Sequence, residues 1–245
     1  MKAINSISAW IIGVGLIAVM FPLTILIWFL TFPFDSERII VHRWVQTECR
    51  LLLLALPLWR VRAEGTEKRG RGESFVIVSN HQSILDIVLL SRVGGDFRWV
   101  SKSENFSIPV VGQTMRMAKY IELSRGRKES VMRMMERAVE TLDKNISVLI
   151  FPEGTRSENG LIGRFKTGAF QIAVRKDRPV LPVVIDGTGN VLPRGCSTLT
   201  GGHLLRIRVL DPVYPDSFPD GDPDQVAVMV REAMCGALKD MRSEG

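Results

Sequence analysis

Several familiar chemistries are missing from this sequence, and each gap excludes a class of protein. There are three cysteines, Cys49, Cys196 and Cys235, far apart and without a CxxC pair, which excludes a disulfide framework and a thiolate metal cluster and fits a reducing, cytosol-facing location. The three histidines, His42, His81 and His203, lack HxxxH-like partners, so no metal site is expected. No G-x-S-x-G elbow offers a nucleophilic serine, and no G-x-x-x-x-G-K-[ST] loop offers a phosphate cradle. No internal repeat or low-complexity tract is present. Charge is absent from Ala9 to Phe34, a run long enough to cross a bilayer as a helix, too long for a signal peptide, and followed by no small-residue cleavage site. It reads as a retained anchor. Pro22 inside it predicts a kink or break, compatible with a full span, a re-entrant turn or an in-plane helix.

What is present favours anionic partners. Lys and Arg outnumber Asp and Glu by 32 to 26 over 245 residues, which suits phosphates, acidic lipid or nucleic acid, and equally a merely solvated basic surface. Scattered basic residues without an aromatic-basic recognition motif argue against nucleic acid. In residues 38–59, Ile40, Val41, Trp44, Val45, Leu51, Leu52 and Ala55 fall on one side of a helix and Arg43, Gln46 and Arg50 on another, with Glu48 out of pattern. Two readings fit: an interfacial helix, or one packed on the rest of the protein. Residues 60–73 read as a polar, basic linker, and positive charge beside a hydrophobic segment argues for the cytoplasmic face of a membrane.

Beyond it, β-rich runs at 74–79, 97–101, 120–124, 147–151, 180–185 and 203–210 alternate with helix-compatible segments at 84–92, 104–117, 127–144, 166–176 and 223–241. The alternation predicts an α/β fold: one catalytic domain, residues 61–245, with a mixed, largely parallel sheet flanked by helices, after a hydrophobic two-helix membrane anchor, residues 1–60. The stripe Val131, Met134, Met135, Ala138, Val139 and Leu142 is expected to fill core.

Two short stretches carry chemistry. In "SNHQSILD", His81 and Asp86 are five residues apart, about 140° around a continuous helix, and would face different ways. Ser83 as a helix N-cap resolves this, leaving His81 on the preceding turn and Asp86 in the first helical turn. A carboxylate bonded to one imidazole nitrogen frees the other to act as general base. Asp86 as a simple helix cap is the competing reading. In "VLIFPEGTRS", Pro152 ends a strand, Gly154 permits a tight turn and Arg156 stands where α/β sheets form ligand crevices. Arg156 suits phosphate oxygens, Thr155 and Ser157 can add hydroxyl donors, and Glu153 can hold Arg156 or bind a substrate hydroxyl. A bare turn with a local ion pair would look the same.

Together, Asn80, His81, Ser83 and Asp86 in N-H-x-S-x-x-D, and Phe151 to Ser157 in F-P-E-G-T-R-S, resemble the glycerophospholipid acyltransferases, most closely the 1-acyl-sn-glycerol-3-phosphate acyltransferases. The resemblance spans residues 74–190. It implies transfer of an acyl group from a thioester, acyl-CoA or acyl-carrier protein, to the sn-2 hydroxyl of lysophosphatidic acid. It implies His81 as base, Asp86 as its orienter and Arg156 as the phosphate grip, with no covalent enzyme intermediate and no cofactor. "VSKSENFSIPVVG" is similar to a family segment that places Lys102 near the substrate's anionic groups. "YIELSR" is similar to a block ending in a phosphate-binding arginine, here Arg125, with Arg127 the fallback because Ala118 and Lys119 stand where a glycine is usual. "VLPVVIDG" resembles a fourth block, in which Pro182 shapes the site. Gly154 and Thr155 join Glu153, Arg156, Lys102 and Arg125 as the implied substrate-binding set. The implied partners are lysophosphatidic acid, the acyl thioester and the bilayer, with the enzyme on the cytoplasmic face of a membrane. Another lysolipid, such as a lyso-ornithine lipid, would suit the same motifs. A non-catalytic phospholipid-binding protein is the alternative from a different class, and it has no need of a base.

Overall fold

The computed structural model describes residues 2–56, 59–70 and 72–244. Residues 57 and 58 of the amphipathic segment, and residue 71 of the stretch read as a linker, lie outside them.

Seven strands form one sheet in the order β1-β7-β6-β2-β5-β3-β4. They are β1 (Trp59–Glu64), β2 (Val76–Ser79), β3 (Phe97–Lys102), β4 (Ile121–Leu123), β5 (Ser147–Ile150), β6 (Val180–Asp186) and β7 (His203–Val209). Among the described strand pairs only β6 with β7 is antiparallel. The central strands β2, β5 and β6 are buried throughout, as their near-continuous apolar runs require for strands covered on both faces. Pro182 sits inside β6, paired with Val78 of β2, and its carbonyl accepts from the Leu210 amide just beyond the β6–β7 ladder. Its missing amide leaves the bond to Leu210 one-sided, at the point where the β6–β7 ladder ends.

Helices cover both faces. On one, α1 (Lys2–Thr31), α2 (Ile39–Ala55) and α3 (Leu85–Leu89) pack beside a core that includes Trp59, Phe75, Ile77, Leu89, Phe97 and Leu181. On the other, α6 (Lys128–Asp143), α7 (Gly168–Lys176) and α9 (Pro223–Ser243) bury Met134, Ala138, Leu142, Phe170, Val230 and Met234, so the methionine stripe fills core except at Val131, which is exposed near the start of α6. Short helices α4 (Ser103–Phe106) and α5 (Val111–Met117) replace the single helix expected over 104–117, because Pro109 interrupts it, and α8 (Thr188–Val191) follows β6. Asp222 caps α9 by accepting from the Asp224 amide at 2.9 Å.

Two expectations change, and a third narrows. Pro22 lies within an unbroken α1: it removes one amide donor without ending the helix. The supposed linker carries β1, whose Trp59, Val61 and Ala63 alternate with Arg60, Arg62 and Glu64. Its charges disguised the period, and two of them are paired, Glu64 with Arg62 at 2.5 Å and with Arg208 of β7 at 2.7 Å. Finally, α2 takes the second of the two readings open to it, a helix packed on the rest of the protein, burying Val41 and part of its polar stripe while Arg43 stays exposed. His42 and Gln46 are buried, Gln46 donates to the Gly95 carbonyl at 2.6 Å, and Arg50 reaches the Ser91 carbonyl at 3.0 Å. Ile40, Leu51 and Leu54 face outward.

Candidate active site

In a parallel sheet the carboxyl ends of the strands share one edge, and the loops leaving them form the crevice. Here β2, β5, β3 and β4 are neighbours, so the segments after them stand in a row: Asn80 and His81, then Phe151 to Ser157, then Lys102, then Arg125. At about 4.8 Å per strand, Arg125 stands three spacings, about 14 Å, from the β2 line.

The turn after β2 is held by hydrogen bonds at every residue. The Asn80 side chain pairs with both backbone groups of Ile185 in β6, each bond 2.8 Å. His81 Nδ1 lies 2.7 Å from Asp86 Oδ2. That same oxygen accepts the amides of Gln82 at 2.7 Å and Ser83 at 3.0 Å, and Oδ1 accepts the Thr188 hydroxyl at 2.5 Å. Asp86 is fully buried, and these donors replace the water its oxygens have lost. The spacing of five therefore works by a turn. The α-helix starts at Leu85, one residue later than a Ser83 cap implies, after two tight first-turn bonds from Asp86 to Ser83 and from Ile87 to Ile84. Ser83 still behaves as a cap in part: its hydroxyl accepts from the Leu85 amide at 3.3 Å while donating to the Leu192 carbonyl at 2.8 Å.

With an ionised carboxylate on Nδ1, that nitrogen carries the proton and Nε2 has its lone pair free; Nε2 has no hydrogen bond among the described residues. The His81 ring stacks on Phe151, centroids 4.0 Å apart and planes 14° apart, which fixes the ring plane. The two motifs are bolted together through the backbone. The His81 amide donates to Glu153 at 3.0 Å, and the His81 carbonyl accepts from the Ser157 amide at 2.7 Å.

Glu153 does not hold Arg156. Its second oxygen accepts the Gly163 amide at 2.9 Å, so the carboxylate joins the β2 turn to the β5 loop. Burial pushes the Glu153 pKa up, against the two backbone donors. The reason for the difference is position: Glu153 points back across the turn toward β2, whereas the Arg156 guanidinium makes no hydrogen bond or ion pair among the described residues. Gly154 has φ of +70°, as the tight turn requires, and the Lys166 side chain crosses over it. Thr155 is exposed, but the Ser157 hydroxyl donates to the Leu161 carbonyl at 2.8 Å and is taken up inside its own loop. Lys102, Arg125 and Arg127 are all exposed, and the geometry does not choose between Arg125 and Arg127.

Sequence reasoning missed Thr188, which completes the carboxylate's donors. Thr188 follows β6, one strand away from β2, and the only available signal was "DGTG" at the end of an apolar strand.

A buried carboxylate bonded to a partly exposed imidazole, on the same sheet edge as an arginine whose guanidinium has no partner among the described residues, is an arrangement suited to general-base chemistry. The chain belongs to the Acyltransferase family, whose profile matches residues 60–186. It is 36% identical over 159 residues to the chloroplastic 1-acyl-sn-glycerol-3-phosphate acyltransferase of Arabidopsis thaliana, an alignment covering 64% of this chain and 45% of that protein. Against the mouse 1-acyl-sn-glycerol-3-phosphate acyltransferase alpha it is 32% identical over 202 residues, 80% of this chain and 70% of the mouse protein. The chain spans about half the length of the plant relatives it matches, 45% and 46% for those of Arabidopsis thaliana and Brassica napus. The crystal structure of the 1-acyl-sn-glycerophosphate acyltransferase of Thermotoga maritima superposes with a TM-score of 0.82 at 26% identity, covering 99% of this chain and 98% of that one.

Proposed function

We propose that this protein transfers a fatty acyl group from an acyl thioester, acyl-CoA or acyl-carrier protein, to the sn-2 hydroxyl of 1-acyl-sn-glycerol-3-phosphate, giving phosphatidic acid. The observation that carries the reading is the His81–Asp86 bond of 2.7 Å at the same sheet edge as the unpaired Arg156. His81 Nε2 takes the hydroxyl proton as the oxygen attacks the thioester carbonyl carbon. The tetrahedral intermediate collapses, the carbon–sulfur bond breaks, and the imidazolium returns its proton to the departing thiolate. Asp86 keeps the tautomer and stabilises the imidazolium. Arg156, with Thr155 and the turn at Gly154, receives the acceptor phosphate, and Lys102 and Arg125 add positive charge along the row. Glu153 acts by positioning His81 through its backbone. The chemistry needs no cofactor beyond the thioester co-substrate. The names of the relatives support the choice of acceptor.

The location we propose is one leaflet of a membrane, on its cytoplasmic face. At its start α1 is tied to the domain, Trp10 Nε1 donating to the Ser197 carbonyl at 2.7 Å and Ser6 Oγ accepting from the Leu199 amide at 2.9 Å. Past its end, Arg98 donates to the Glu37 carbonyl. The apolar stretch Ser6–Thr31 is 26 residues, about 39 Å long at 1.5 Å per residue, and has the domain at both ends. A helix crossing a hydrocarbon core of about 30 Å would leave the domain on one side. An in-plane helix satisfies both contacts, with Ile11, Val14 and Phe29 of α1 and Leu54 of α2 facing lipid.

The test is an assay of the purified protein in vesicles with a long-chain acyl thioester and a panel of lysolipids. Phosphatidic acid formed from lysophosphatidic acid at the highest kcat/KM is the expected result; preference for another acceptor, or no transfer, contradicts the reading.

A further inference from the structure

On the side of His81 away from Lys102 and Arg125 lies a second polar space that the reaction as described does not use. The end of β6, the middle of β7, α8, the end of α9 and the segment 157–160 line a cleft of about 520 Å³, within the range of small-molecule sites. It begins beside the base: Gln82, next in the chain to His81, lines it, as does Ser157, whose amide donates to the His81 carbonyl.

Three guanidiniums line the cleft, those of Arg194, Arg206 and Arg242, against the carboxylates of Asp186 and Glu158. Arg206 and Arg242 share Asp186, one on each oxygen at 2.9 Å, so a single carboxylate serves two cations. Arg206 also keeps its Nε buried with no partner among the described residues. Arg194 contacts Glu158 at 2.8 Å, but the Glu158 side chain is 81% exposed, where water weakens the pair. Arg206 and Arg242 also donate to the Met241 and Gly160 carbonyls, but Asp186 is the one carboxylate paired with both among the described residues. Arg194 at the lip, which also reaches the Arg156 carbonyl at 3.4 Å, can exchange its exposed partner for a stronger anion.

Resting on the acyl-transfer reading above, we propose that this cleft receives the phosphate and pantetheine arm of the donor, so that the two substrates approach His81 from opposite sides. The acceptor's phosphate is one carbon removed from its reacting hydroxyl carbon and belongs close to the base, on the Arg156 side. The donor's phosphate is separated from its thioester by the whole pantetheine arm, and it needs an extended polar cleft leading away from the base. The arm is amide-rich, matching a lining of Gln82, Asn159 and Asn190. A 4'-phosphopantetheine arm is common to coenzyme A and to acyl carrier protein, and the cleft recognises that shared chemistry.

The experiment uses the full-length protein in detergent, titrated calorimetrically with coenzyme A, 4'-phosphopantetheine and adenosine 3',5'-bisphosphate in separate runs without acceptor. Coenzyme A and phosphopantetheine are expected to bind the wild type and His81→Ala alike. They are expected to bind several-fold more weakly to Arg194→Glu, and to Asn190→Glu, which adds negative charge without disturbing an ion pair. Undiminished binding in both variants, or adenosine bisphosphate binding as tightly as coenzyme A while phosphopantetheine does not bind, overturns the proposal. In turnover, the variants should raise KM several-fold for acyl-CoA and for acyl carrier protein and leave the acceptor KM unmoved. A rise in the acceptor KM, or in that of acyl-CoA alone, counts against the assignment. Because the titrations need no acceptor, they report on the cleft even if the proposed transfer reaction itself is not observed.

Discussion

Asp86 accepts four hydrogen bonds, from His81 Nδ1, the amides of Gln82 and Ser83, and the Thr188 hydroxyl. The three donors other than His81 aim the carboxylate, and of these only Thr188 can be removed without altering the backbone. A hydrogen bond to a charged group is worth about 1.5–3 kcal/mol, so Thr188→Val should lower kcat by about 10- to 150-fold, with KM for both substrates little changed. Thr188→Ser should retain most of the activity; a Val variant with wild-type kcat would remove Thr188 from the account. At this scale the sequence was legible where chemistry is local. The pairing of His81 with Asp86 followed from placing a helix start near Ser83, and the turn at Gly154 from its position after a strand. Thr188 and the true partners of Glu153 were illegible because they depend on which strands lie side by side, and a hydrogen bond between residues 72 or 102 positions apart leaves no local pattern.

Among the elements, α2 shows the limit of amphipathic reasoning. A stripe of polar residues on a helix normally faces water, but here the inward face is polar because the domain presents backbone groups to it. His42 Nε2 lies 3.3 Å from the Phe97 amide and 2.6 Å from Gln46 Nε2, and Nδ1 lies 3.1 Å from the Tyr120 hydroxyl. With two donors on Nε2, the ring is neutral and donates from Nδ1 to Tyr120. Burial, reinforced by the nearby Arg98 charge, pushes the His42 pKa down to about 3. The native state therefore binds no proton there while the unfolded chain does so below about 6.5, and the stability His42 contributes is present above that value and lost as pH falls toward 3. Between pH 6.5 and 5 the loss amounts to about 2 kcal/mol. Denaturant unfolding at pH 7 and pH 5 should show His42→Gln less stable than wild type at pH 7 but with a shallower loss on acidification; an equal slope would contradict the assignment. The core strands β2, β5 and β6 were readable as apolar runs, whereas β1 was not, since an edge strand with arginine and glutamate at alternate positions has the composition of a linker.

For the whole molecule, the anchor and the catalytic domain are one packed body. The composition of residues 9–34 indicated membrane association, but it carried no information on orientation, which depends on the contacts of Ser6, Trp10 and Glu37 with distant segments. If α1 lies within one leaflet, a tag on the N-terminus and a label at exposed Val228 in α9 should both react with an impermeant reagent from the same side of sealed vesicles. Reaction from opposite sides would show a spanning helix. Under the proposed function, bilayer binding, the basic row along the sheet edge and the His81–Asp86 pair form a single arrangement for acylating an amphiphile where it resides.

The central claim is that His81 is the general base of this arrangement, and it is tested most directly by the initial rate of phosphatidic acid formation from lysophosphatidic acid and a long-chain acyl thioester, comparing wild type with His81→Ala in the same vesicles. Loss of a general base predicts a fall of about 10² to 10⁴ with acceptor binding retained. A His81→Ala protein that turns over at the wild-type rate would contradict the mechanism.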